Sequence, residues 1–236
     1  MPMILALDTS AKPVSCALIK DGRILASNYC NSGLTHSQTL MPMIDHMLSV
    51  ADVTVAQLDA IAVNAGPGSF TGVRIGVSAV KGLAFAGGIP CVSVSTLESM
   101  AENVAITDDV IVCGAMDARC SQVYTALFAK QNGVAVRLTE DMAITIDELG
   151  ERLKDVNKPI VLVGDGSEIC YSRLADSIPN LMLAPPSVRY QSAASTAVVA
   201  EKKLLAGETV TAAELLPVYL RLPQAERELN AKLNCK

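Results

Sequence analysis

Residues 60–94 read AIAVNAGPGSFTGVRIGVSAVKGLAFAGGIPCVSV. Ala60–Asn64 is a short apolar run of the buried-strand type, and the loop Gly66-Pro67-Gly68-Ser69-Phe70-Thr71-Gly72 follows it. Val73–Ala86 then keeps apolar residues at helical spacing and stops at Gly87-Gly88, as a helix C-terminus commonly does. Cys91–Val94 is a second strand, and Ser95-Thr96-Leu97-Glu98 spells a capping box for another helix. This alternation of strand and helix is the mark of an α/β protein.

Toward the N-terminus, Ile4–Asp8, Val14–Lys20 and Arg23–Ser27 read as three antiparallel strands, with Asp21-Gly22 supplying a tight hairpin turn. A helix is expected over Leu40–Ala51, with Thr39 as its N-cap and Pro42 in the first turn, where a free N–H is not missed. A similar order restarts downstream. Val110–Met116, Val123–Lys130 and Ala135–Leu138 are strand-like, the last two split by Asn132-Gly133. A helix near Ile146–Lys154, a strand at Pro159–Val163, a Gly164-Asp165-Gly166 turn and a helix from about Gln191 to Leu205 complete the second half. The repeat is one of element order and not of sequence. It predicts two α/β lobes joined near residues 100–108, the doubling found in the actin-like ATPase (ASKHA) architecture. The expected division is a first lobe over 1–104, a smaller second lobe over 105–222 and a C-terminal tail over 223–236.

Composition narrows the function. The 19 basic and 24 acidic residues leave a net charge of −5, the opposite of a chain that binds nucleic acid by neutralising phosphates. Three Phe, five Tyr and no Trp are too few for a base-stacking platform, so any RNA is expected to be gripped by another subunit. No apolar stretch reaches the roughly 18 residues of a membrane span, and Met1–Leu7 lacks the basic start of a signal sequence. Seven cysteines with no C-x-x-C pair fit reduced thiols in a cytoplasmic protein.

Catalytic signatures are missing where this architecture would carry them. A phosphate clamp wants glycine in its turns, because backbone N–H groups approach phosphate only where no side chain intervenes. The first turn is Asp8-Thr9-Ser10-Ala11-Lys12-Pro13 and the second-lobe turn is Met116-Asp117-Ala118-Arg119, neither with a glycine. Gly164-Asp165-Gly166-Ser167 is the remaining candidate. The Gly66–Gly72 loop lacks the lysine of a P-loop. His36 and His46 stand ten residues apart, about 15 Å on one helix, and neither has a histidine four residues away. No G-x-S-x-G elbow is present. No catalytic, cofactor-binding or metal residues are therefore expected.

The two first-lobe helices carry more apolar surface than one core contact needs. On the first, the apolar arc spans about half the circumference and its edge is methionine-rich, with Met43 and Met47 as candidate contacts. On the second, Val73, Val77, Val80 and Ala84 form one stripe, while Ser78, Gly82 and Ala86, with Ile75 and Ala79, form an opposite stripe of mostly small residues. Arg74 and Lys81 are its charges. The pattern fits a helix central to the chain's own core and equally a face that packs against another molecule.

Several segments together carry a family resemblance: Leu7-Asp8-Thr9-Ser10, His36-Ser37 followed by Leu40-Met41-Pro42, the Gly66–Gly76 segment, Met116-Asp117-Ala118-Arg119 and Pro217-Val218-Tyr219-Leu220-Arg221. In this order they resemble the TsaB (YeaZ) family over nearly the whole chain. The resemblance implies a bacterial subunit for making threonylcarbamoyladenosine beside the anticodon of tRNA. Catalysis there belongs to the paralogue TsaD, with its H-x-x-x-H metal pair and nucleotide site. TsaB serves as its dimerising partner, pairs with itself when alone, and is joined by the ATPase TsaE. Here Leu40 stands where the second histidine of the metal pair would be, so that chemistry does not carry over. The implied role is a non-catalytic scaffold that meets tRNA only through the complex. A nucleotide hydrolase or a glycoprotease-like metallopeptidase relative is the alternative.

Overall fold

The computed structural model describes residues 2–104 and 109–221. Three antiparallel strands, β1 (Met3–Asp8), β2 (Val14–Lys20) and β3 (Arg23–Cys30), lead into α1 (His36–Val50). The central unit follows as β4 (Ala60–Gly66), α2 (Phe70–Phe85), β5 (Cys91–Ser95) and α3 (Thr96–Glu102). The strands form one sheet in the order β3-β2-β1-β4-β5, with β4 and β5 parallel to β1. The second half repeats the plan with β6 (Ile111–Asp117), β7 (Gln122–Gln131), β8 (Val134–Arg137), β9 (Met142–Thr145), α4 (Ile146–Leu153), β10 (Ile160–Val163), α5 (Ser167–Leu174) and β11 (Leu181–Leu183). Its sheet runs β8-β7-β6-β10-β11, with β9 paired to β7, so the strand order of the first sheet recurs. A helical turn, α6 (Pro186–Arg189), precedes α7 (Ala193–Leu205).

Burial on both faces explains why the inner strands are apolar without alternation. On β1, Leu5 and Leu7 join the core under α1 and α2, whereas Ile4 and Ala6 face α7. The second sheet is likewise sandwiched. Cys113 and Leu162 pack with α4 and α5, and Val112, Met116 and Phe128 pack with Leu97 and Met100 of α3.

Chain order misleads at one point. The helix over 193–205, expected to complete the second lobe, lies on the first sheet against β1, β2, β4 and β5. The following segment also returns to the first lobe, where Val210 bridges Cys91 at the edge of β5 and Leu215 enters the core. The expected boundary at 105–222 therefore assigns 193–215 to the wrong sheet. Conversely α3, the end of the first half in sequence, packs on β6, β7 and β8 as well as on α7. Of the joint expected near 100–108, residues 105–108 lie outside the described residues, as does the tail at 223–236.

Helix α1 begins a turn earlier than its sequence suggests. Thr35 is the N-cap, and Thr39, expected to cap, instead donates its hydroxyl to the Thr35 carbonyl. Pro42 is thus inside the helix, where it removes a donor that the exposed Gln38 carbonyl would otherwise receive.

Candidate functional site

The two lobes enclose a cleft of about 440 Å³. Its walls are the β1–β2 turn at Ser10–Lys12, the loop Pro67–Thr71, the Met116–Arg119 turn, Asp165, and a terminal strap at Val218–Arg221. This is where a phosphate clamp would lie in a two-lobed chain, so the fit of these residues to phosphate can be tested directly.

They do not fit. A Cβ on Gly68 would fall 2.3 Å from the Ser10 carbonyl oxygen, one on Gly72 2.1 Å from that of Thr9, and one on Gly76 2.5 Å from Thr9 Oγ1. The glycines let α2 and its leading loop press against the first turn. The Ser69 N–H donates to the Ser10 carbonyl at 2.6 Å, and the Thr9 hydroxyl donates to the Gly72 carbonyl at 2.7 Å. The α2 loop is thus bonded to the first turn, and the Met116–Arg119 turn faces both from across the cleft. Gly164 and Gly166 are used in the same way, with any Cβ meeting the Ala115 carbonyl or the Asp117 N–H on the end of β6.

Asp8 is sealed beneath this seam with no exposed surface. Its Oδ1 accepts from the Ser10 N–H at 2.8 Å and the Ser10 hydroxyl at 2.7 Å, and its Oδ2 accepts from Asn64 Nδ2 at 2.5 Å. Burial outweighs these donors and pushes the carboxyl pKa up to about 6. Asn64 Oδ1 has no partner. His36 Nε2 stands 2.8 Å from the Ala11 carbonyl, which can only accept, so this nitrogen carries a proton and buried Nδ1 is left without a partner. Leu40, one turn on, is core. Among the described residues no three His, Cys, Asp or Glu side chains are grouped to hold a metal.

Sequence reading missed what holds the strap. Tyr219 stacks on Phe70 with ring centroids 4.5 Å apart, and the Arg74 guanidinium lies 3.9 Å from the Phe70 centroid while its Nε–H donates to the Tyr219 hydroxyl at 2.8 Å. Lys81 Nζ donates to the carbonyls of Ala213 and Leu215. The Val218 N–H donates to the Ala65 carbonyl, and Arg221 reaches the Ala118 carbonyl of the second lobe at 2.7 Å. Two isolated charges on an otherwise apolar helix were the available signal, since each needs a partner from somewhere.

On α2, Val73, Val77, Val80 and Ala84 are buried, as the first stripe requires. Ser78, Gly82 and Ala86 are exposed, and Ile75 and Ala79 are half-buried. The small-residue stripe is thus surface and not the centre of the chain's own core. A Cβ on Gly82 would meet no atom within 4 Å, and Phe85 beside the stripe is 79% exposed. On α1, Met43 is half-buried and Met41 and Val50 are exposed. Met47, expected at a contact surface, is only 2% exposed and fills the first-lobe core, because it lies three residues after Ile44 and seven after Leu40 on the one buried stripe of α1.

Residues 31–229 match the family model described as TsaD, tRNA N6-adenosine threonylcarbamoyltransferase. The chain is 31% identical over 223 residues to the tRNA threonylcarbamoyladenosine biosynthesis protein TsaB of Bacillus subtilis, covering 94% of this chain and 96% of that one. The chain belongs to the TsaB family. YeaZ from Pseudomonas aeruginosa superposes on it with a TM-score of 0.75 at 32% identity, over 93% of this chain and all of that one. Component A of (R)-2-hydroxyglutaryl-CoA dehydratase from Acidaminococcus fermentans, at 14% identity and a TM-score of 0.52 over 87% of this chain and all of that one, shares the fold. That fold is the two-lobed actin-like one. As a TsaB-family member the chain takes part in tRNA threonylcarbamoyladenosine biosynthesis. No described helix is long and apolar enough to cross a membrane.

Proposed function

We propose that the chain is a non-catalytic scaffold that binds and supports TsaD while threonylcarbamoyladenosine is formed next to the anticodon of tRNA. The exposed face of α2, with Ile75, Ser78, Ala79, Gly82 and Ala86, is the docking surface, and Met43 of α1 borders it. The same face pairs two copies of the chain in the absence of TsaD. TsaE joins the assembled pair, and tRNA is reached through the complex alone. The observation that carries this reading is the contrast along one helix. The inner face of α2 is zipped by Gly72 and Gly76 to the first turn, while its outer face presents small residues with open space above Gly82. A nucleotide hydrolase or a metallopeptidase would need reactive groups that the first turn and His36 do not supply.

Gly82→Leu tests it. Wedging a fitted helix interface costs about 1–3 kcal/mol, or roughly 5- to 150-fold in affinity. The expected outcome is weakened pull-down of TsaD and weakened self-association by sedimentation, with the melting temperature of the monomer no lower than the parent's, since leucine is a better helix former than glycine. Undiminished association would place the interface elsewhere, and loss of threonylcarbamoyladenosine formation should follow the loss of binding.

A further inference from the structure

Glu102 closes α3, and its carboxylate is shared between the halves of the molecule. Oε2 lies 3.2 Å from Nζ of Lys130 on β7, and Oε1 pairs with Nζ of Lys202 on α7. The Lys130 side chain is 1% exposed and that of Glu102 is 9% exposed, so this pair is internal, and Lys202, 46% exposed, joins it from the surface. Asn103 does the same without charge. Its Nδ2 donates to the Tyr190 carbonyl at 2.6 Å, and its Oδ1 accepts from the Ser195 hydroxyl. Earlier on the same helix, the buried Ser99 hydroxyl meets Thr196 Oγ1 of α7 at 3.1 Å and Asn64 Nδ2 of β4 at 3.3 Å. Helix α3 is thereby pinned to the first lobe through Ser99 and to the second through Leu97, Met100 and Lys130. At the mouth of the cleft the strap adds a tie between lobes, from Arg221 to the Ala118 carbonyl.

A two-lobed chain around a cleft has the layout of a hinge. Opening this one means sliding α3 over α7, which parts Glu102 from Lys202 or from Lys130. The second loss would leave an ammonium group buried with no counter-charge, a strongly unfavourable state. We propose that the Glu102 triad and the Arg221 tie clamp the two lobes at one angle, so that the chain behaves as a single rigid body whose cleft neither opens nor closes. The open form is then expected in fewer than about one molecule in a hundred. The clamp concerns the isolated chain and stands whether or not α2 docks a partner.

Pulsed dipolar spectroscopy on the full chain reads the angle directly. Exposed Cys120 on the second lobe takes one spin label, and Lys12→Cys across the cleft takes the other. Cys30 and Cys235 are changed to Ser, while Cys16, Cys91, Cys113 and Cys170 are buried and stay unlabelled. The expected result is one distance distribution as narrow as that of a control pair within the first lobe, widening at least twofold on Glu102→Gln. If Glu102→Gln does not fold, Lys202→Met removes only the half-exposed arm of the triad and is expected to widen the distribution in the same direction. A broad or bimodal distribution in the parent overturns the clamp, and so does an unchanged width in a folded variant.

Discussion

Asp8 has no exposed surface, and the donors around it do not compensate for lost water, so its carboxyl keeps its proton up to about pH 6. An ordinary aspartate in the unfolded chain releases it near 3.8. Between these values the folded chain binds more protons than the unfolded one, so this residue makes stability fall as pH rises from about 4 to 6, and the loss is complete above that. Asp8→Asn removes the slope. The new amide can keep the Ser10 bonds through its oxygen, and Asn64 can turn to offer the Oδ1 that now has no partner. The variant should gain about 1–3 kcal/mol at pH 7.5 and little at pH 4, measured by urea unfolding at both values. A variant less stable than the parent at pH 7.5 would show that the charged form is needed where it lies.

Helix α2 carries opposite demands on its two sides. Gly72→Ala puts a methyl group 2.1 Å from the Thr9 carbonyl oxygen and forces backbone apart from backbone, at a cost of about 2–4 kcal/mol. Gly82→Ala adds the same methyl over open space and should stabilise by about 1 kcal/mol through helix propensity alone. Chemical denaturation of the two variants decides the matter, and equal effects would mean that both sides are packed alike. The first of these sides was legible in the sequence, because Val73, Val77, Val80 and Ala84 keep helical spacing. The hairpin at Asp21-Gly22 and the N-cap at Ser95 were legible for similar reasons, since their signals are local, whereas Glu98, expected to complete a capping box, pairs with Arg137 instead. Strand β11, of three residues, is too short for alternation to register, and β9, though as long as β8, was missed because no Asn-Gly turn like the one before β8 marks it. Helix α5 was missed because its start is a glycine without a capping side chain. The Arg74–Tyr219 bond could not be read from pattern, as it joins residues 145 positions apart.

Across the whole molecule, the two turns that face each other over the cleft both lack glycine, and the strap ties the cleft mouth. Calorimetry with ATP and magnesium should find no site in the low-micromolar range, and such a site, or turnover abolished by Asp8→Ala, would favour an enzyme. The packing of α7 on the first sheet has a consequence for biosynthesis. Ile4, Ala6, Ala62 and Val92 show a bare apolar surface until residues 193–205 leave the ribosome, about a hundred residues after β5. At roughly 5–20 residues per second this is an interval of about 5–20 s in which the nascent first lobe has one uncovered face. The N-terminal half is thus a client for chaperones during synthesis, and a messenger truncated before α7 yields an aggregating fragment and not a smaller domain.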